Sequence, residues 1–363
     1  MMSNMSQDLR IIAAIAAKDM WEALKNRTTL SVLVMSLLMV LLYRFLPDLT
    51  SDDPTLHLLV YDAGNTAHWD ALEASYDPQV FGPYPTQRLM ASDLAKGVTP
   101  ELGMVIPEDF DEMVLGSGDV AVMGYVMSWV GESTAAEMVT AAEALLTDVA
   151  ERPVRVLTAG NEIYPQAEGF GYPMLYSIGL VIGVLMVGVT MTPNLMMEER
   201  EAKTIDALLI SPAGNRHLVI GKALTGIFYC LIMAAIGALL SGGLILHWWL
   251  FTLAAIVGSL FSVAFGLLLG TFFKSRQQLT AWAFFLSFPL MLPLFLTWMK
   301  GLIPDTVIAI LEWVPSVAMG KIFRASFAET SILAAYGLEM TLVLGCALLL
   351  FAIVAWLLRR SDR

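Results

Sequence analysis

The chain has 363 residues, of which 57% are hydrophobic and 15% charged, with a net charge of −12 and a mean hydropathy of +0.68. Soluble domains carry about 25% charged residues, so this composition excludes an ordinary water-soluble protein, and no nucleic-acid partner is expected of so acidic a chain. The two cysteines, Cys230 and Cys346, both fall in apolar runs, which excludes a disulfide framework or a cysteine metal cluster.

In chain order, residues 7–27 (QDLRIIAAIAAKDMWEALKNR) set Leu9, Ile12, Ile15 and Ala16 on one helical face, Lys18, Glu22 and Lys25 elsewhere, and Trp21 at the boundary. That pattern predicts that segment 1–27 carries an amphipathic helix lying on a membrane surface. A helix needs about 20 apolar residues to cross the hydrocarbon core. Residues 28–46 supply the first span: 28–43 are uncharged, and Arg44 can snorkel to the interface. Because this run follows a long charged segment, it reads as a retained anchor and not a cleavable signal.

Residues 47–172 change character, with 21 acidic and four basic side chains. LHLLVYD (56–62), LGMVIP (102–107) and DVAVMGYVMSWV (119–130) read as strands. NTAHWDALEAS, PTQRLMASDLAKG and STAAEMVTAAEALLTDVAER read as helices between or after them. Alternation of this kind predicts a separate α/β domain.

Apolar character returns over 173–363. Residues 173–194 form a second span. The 51 uncharged residues 223–273 are too long for one crossing and divide at Gly242–Gly243 and His247–Trp248–Trp249 into two. Residues 279–299 and 335–358 complete six. Within the fifth, FPLMLPLF places Pro289 and Pro293 four residues apart on one face; each removes a helix hydrogen bond and should bend the span. Segment 300–329 is apolar but interrupted by Pro304, Pro315 and three bases, which predicts short helices at the outer interface.

With six spans, both termini share one side. That side receives thirteen of the 21 basic residues, all in the termini and the short loops. The positive-inside rule makes it cytoplasmic and puts 47–172 outside. The expected architecture is an integral-membrane, all-α six-helix domain with an inserted α/β extracytoplasmic domain, multi-pass in the inner or plasma membrane of a prokaryote.

One segment is unlike its neighbours. MMEEREAKTIDALLISPAGNRHLVIGK (196–222) holds four acidic and four basic side chains between long uncharged stretches. Glu199 and Lys203 are four apart with the acid first, the favourable helical order. Ile205, Leu208 and Leu209 share a face, and Ser211-Pro212-Ala213-Gly214 stops the helix. A short amphipathic helix over 195–214, held under the membrane between spans 2 and 3, is expected. GNRHLVIGKA is not a phosphate loop, because six residues separate Gly214 from Gly221 and Ala223 follows the lysine. His57, His68, His217 and His247 are scattered, with no metal-ligand spacing, and no GxSxG stretch occurs. No catalytic residue, cofactor site or metal site is expected in this polypeptide.

EEREAKTIDALLISPAGNRHLVIGKAL resembles the signature of the ABC type-2 permeases, roughly Glu-Arg-Glu-x-x-Thr, two leucines, Ser/Thr-Pro, then Gly-Lys. Glu199, Arg200, Glu201, Thr204, Leu208, Leu209, Ser211, Pro212, Gly221 and Lys222 match, while Ala202-Lys203 replaces the usual basic-Gly pair. VIPEDFDEMVLGSGDV resembles an element of the members with a large domain between spans 1 and 2, the sodium- and drug-exporter-like branch, and AKDMWEALKNRTTL resembles their N-terminal elbow helix. The resemblance implies that the helix after span 2 is a coupling helix docking on a separate ATPase, through Glu198, Glu199, Arg200, Glu201, Lys203, Thr204, Asp206, Leu208, Leu209, Ser211 and Pro212. ATP and magnesium would be bound by that partner. Two permease chains, identical or paired with a homologue, would form the path. The expected function is the permease subunit of an ATP-driven exporter. Buried charge is absent from the cores of spans 2 to 5, which argues against a carboxylate sodium site, and 22 methionines suit an adaptable apolar path; an amphipathic or lipophilic cargo is expected. The alternatives are a sodium-exporting permease of the same family, or a membrane sensor with an acidic ligand-binding ectodomain.

Overall fold

The computed structural model describes all residues except 1, 24, 51–55, 76–77, 166–170, 202–214, 242, 274, 300–302, 330–332 and 362–363. Among the described residues, five helical stretches are long and apolar enough to cross a membrane: Tyr172–Glu198, Arg216–Leu240, Trp248–Phe272, Arg276–Thr297 and Gly337–Arg360. A further helix, α2 (Arg27–Thr50), follows α1 (Met2–Ala23) and carries a shorter apolar stretch, Leu30–Phe45. It packs along the first long helix, with Val40 buried in the common core.

That first long helix has three parts, α7 (Tyr172–Met186), a π turn (Val187–Met191) and α8 (Thr192–Glu201). The sequence boundary at 194 falls inside it, so the helix runs on without a break into the charged segment. The remaining long helices are α9 (Asn215–Leu240), α10 (Trp248–Phe272), α11 (Arg276–Trp298) and α14 (Gly337–Ser361). Ser275 caps α11 by accepting from Gln278 N–H, and the helix continues through both Pro289 and Pro293. Between α11 and α14 stand α12 (Asp305–Leu311) and α13 (Pro315–Ala325), bent by 90° from each other. The short helices expected over 300–329 are present, but α13 is no surface helix: Val317, Ala318, Met319, Ile322 and Phe323 are buried in the bundle core. Its apolar face simply outweighs Lys321 and Arg324.

The two ends of the bundle are distinct. At one end, the Arg44 guanidinium donates to Leu240 O over 3.1 Å and lies over the Tyr172 ring, while Leu246 and His247 N–H both donate to Ser326 O over 2.9 Å. The α/β domain is attached here. Tyr172 N–H donates to Gly97 O over 3.1 Å, and Tyr172 packs on Trp129 with ring centroids 4.5 Å apart. The opposite end holds α1, the last turn of α8 and the start of α9.

The domain is a mixed six-stranded sheet in the order β2-β1-β3-β4-β5, with β6 also on β4; the strands are β1 (His57–Asp62), β2 (Gln79–Phe81), β3 (Glu101–Ile106), β4 (Val120–Met127), β5 (Val154–Leu157) and β6 (Glu162–Ile163). Among the described strands, only β3 and β4 run antiparallel; the parallel neighbours need crossovers, supplied by α3 (Trp69–Glu73), α4 (Gln87–Leu94) and α6 (Glu132–Ala150), with α5 (Phe110–Leu115) joining β3 to β4. Leu72, Phe110, Met138, Ala142 and Leu146 cover one face of the sheet. Met90 and Leu94 cover the other, against Leu59, Val105 and Met127.

Candidate functional site

The charged segment enters and leaves the structure at the end of the bundle away from the sheet domain, and the contacts there are polar and specific. Asn26, between α1 and α2, donates its side-chain amide to Glu198 Oε1 at the end of α8. Arg276 at the head of α11 and Lys222 on α9 are the positive charges acting on Glu198. Glu199, Arg200 and Glu201 follow on the same α8 helix. Lys203, Thr204, Asp206, Leu208, Leu209, Ser211 and Pro212 lie outside the described residues.

On the far side of the segment, α9 is joined to α1 along its first turns. Lys222 Nζ donates to Asp19 Oδ2 over 3.0 Å, and both side chains are almost wholly buried. Thr225 Oγ1 donates to Ala16 O over 3.3 Å and Tyr229 Oη to Met20 O over 2.6 Å. His217 Nε2 lies 3.3 Å from Asp8 Oδ1 nearer the tip. Gly221 allows the approach, since a Cβ there would stand 2.6 Å from Ile15 Cγ2. The Gly-Lys pair at the close of the signature thus has a physical role: glycine admits α1, and lysine pairs with its one buried acid. Leu9, on the apolar face read from the sequence, is exposed, as a face turned to lipid would be, while the face packed on α9 holds Ala16, Asp19 and Ala23. An acid on that face is invisible to apolar periodicity.

Between α2, the π turn and α11 lies a cavity of about 300 Å³. Val32, Met186, Val189, Leu279 and Ala283 make its apolar lining, and Thr190, Asn194, Ser287 and Arg276 its polar part. A π turn leaves helix carbonyls without their usual i+4 donor. Here the Thr190 hydroxyl donates to Met186 O, and Asn194 Nδ2 donates to Thr190 O over 2.7 Å. The turn is wedged against α10, where a Cβ at Gly266 would overlap the Gly188 carbonyl oxygen. Such close backbone contact between small residues is how membrane helices pack tightly.

Residues 27–358 match the family described as "ABC-2 family transporter protein". No curated protein and no solved structure gives a significant match to the chain.

Proposed function

The chain belongs to the ABC-2 transporter family, and from that premise we propose that it is the permease subunit of an ATP-driven exporter. It is a multi-pass membrane protein. In the proposed arrangement α2 is the first of six spans, the sheet domain lies outside the cell, and both termini lie in the cytoplasm. Residues 196–222 dock on a separate ATPase that binds ATP and magnesium, and a second permease chain completes the path.

The observation that carries this reading is the double tether of the charged segment. Asn26–Glu198 holds its start and Asp19–Lys222 its end, so a push on the segment reaches α8, α9 and α1 together. A solvated loop would need neither tether. The small cavity beside the π turn supports an amphipathic cargo: its wall is apolar, with a few polar groups and a single guanidinium. That is the usual make-up of a site for a small organic molecule.

Two measurements test the reading. Single cysteines at Ser92 and Asn215, in a background with Cys230 and Cys346 replaced, should react oppositely with an impermeant thiol reagent on intact cells. Labelling of position 215 from outside would sink the topology. In liposomes holding the permease with its ATPase, ATP should drive a lipophilic dye across the bilayer; ATP-dependent sodium flux without dye movement would overturn the cargo assignment.

A further inference from the structure

A second cavity, of about 450 Å³, opens at the edge of the α/β domain between the first residues of β1 and β3, strand β2 and α4. Its volume lies in the range of small-molecule sites, about 300–1,000 Å³. Phe81 and Tyr84 supply aromatic surface, and His57 meets the Phe81 ring edge-on with centroids 5.2 Å apart. Two carboxylates enter it. Asp93 pairs with Lys96, 2.8 Å away. Glu101 is different: its side chain is 18% exposed, and among the described residues its partner within 4 Å is the His57 imidazole, with Nδ1 at 3.7 Å. Burial holds the Glu101 carboxyl above its ordinary range, with Asp93 pushing the same way and His57 opposing. Among the described residues no lysine or arginine nitrogen lies within 4 Å of it.

We propose that this cleft binds a small organic cation, with an ammonium group held between Glu101 and the faces of Phe81 and Tyr84. Three observations converge on that class. A carboxylate removed from water and weakly paired gains most from a cation that brings its own apolar coat, since a bare hydrated ion must first be stripped of water. Aromatic faces attract the same group through the ring quadrupole. The surrounding domain, residues 47–172, carries 21 acids against four bases, which raises the local concentration of cations of any kind. The cleft also adjoins the root of the first long helix, because Gly97, in its wall, accepts from Tyr172 N–H. Occupancy is therefore one residue from the element that leads through the π turn to Glu198.

The inference does not rest on the exporter reading, and its test needs no ATPase. Titrate choline into the purified full-length protein in detergent micelles by calorimetry. Run in parallel the uncharged alcohol in which carbon replaces the ammonium nitrogen. The wild type should bind choline saturably at one site and bind the alcohol at least about tenfold more weakly. Glu101→Gln, which keeps shape, should weaken choline by about tenfold, and Phe81→Ala by several-fold, with melting temperatures checked for both. Phe81 is 40% exposed, so its truncation reads out binding even if Glu101→Gln disturbs folding. Absence of saturable binding to the wild type, equal binding of the alcohol, or wild-type affinity in the folded variants would each overturn the proposal.

Discussion

Lys222 has only 1% of its side chain exposed, and its ammonium is balanced by Asp19, which is nearly as deep. A buried pair is weak evidence for net stability, because desolvating two charges consumes most of what their attraction returns; removing one partner alone, however, leaves a bare charge and costs about 3–5 kcal/mol. Asp19→Leu or Lys222→Met alone should therefore lower the melting temperature of the detergent-solubilised protein sharply. The double substitution should recover most of the loss, and equal damage in single and double variants would show that packing, not charge, holds α1 to α9. In the sheet domain two acids respond to pH in opposite senses. Asp111 sits below its ordinary range because the Thr66 hydroxyl and Ala67 N–H donate to its carboxylate. Its contribution to stability is present above the unfolded value, about pH 4, and is lost as pH falls through the lower folded value. Glu101 is raised, so the folded state holds its proton more tightly than the unfolded chain, and ionisation above the folded value costs stability. Glu101→Gln should consequently gain stability relative to wild type at about pH 7 and lose that advantage towards about pH 4. Melting curves across that range decide it; a constant offset between the two proteins would count against the burial account.

Among the elements, the close seat of the π turn on α10 makes the sharpest test. Gly266→Ala puts a methyl group into the Gly188 carbonyl, where backbone must move, and overpacking of this kind costs about 1–3 kcal/mol. A drop in melting temperature, without such a drop for Gly345→Ala, whose added methyl would meet open space, is the expected pattern. The long helices were legible in the sequence because length and hydropathy define them within a few residues. The π turn was not, since its five residues Val187–Met191 leave the apolar run unbroken. Strand β1 lies one residue from its expected start, and β3 is offset by one. Strands β2, β5 and β6 went unseen because two to four residues carry no readable alternation. The candidate site was half legible: the charged segment announces itself by composition, whereas the Asp19–Lys222 pair joins residues 203 apart, and nothing local to either links them.

At the scale of the whole molecule, one helical path connects the two ends. It begins where Gly97 accepts from Tyr172 N–H, runs through α7, the π turn and α8, and ends at Glu198 under the Asn26 amide. Around it, α9 carries α1 by a buried ion pair, so the elements flanking the charged segment form one body. A permease worked by a partner needs such a body, because force applied to a short segment is useful only if the spans cannot slip past it. The central claim is that residues 196–222 are where an ATPase engages this chain. Incorporate a photoreactive phenylalanine analogue at Lys203 in cells producing the full chain, irradiate them, and identify the cross-linked products by mass spectrometry. The account predicts a phosphate-loop ATPase subunit attached at position 203 and none attached at a control position, Ser92, in the sheet domain. Products at 203 that contain lipid or unrelated proteins but no ATPase would contradict it.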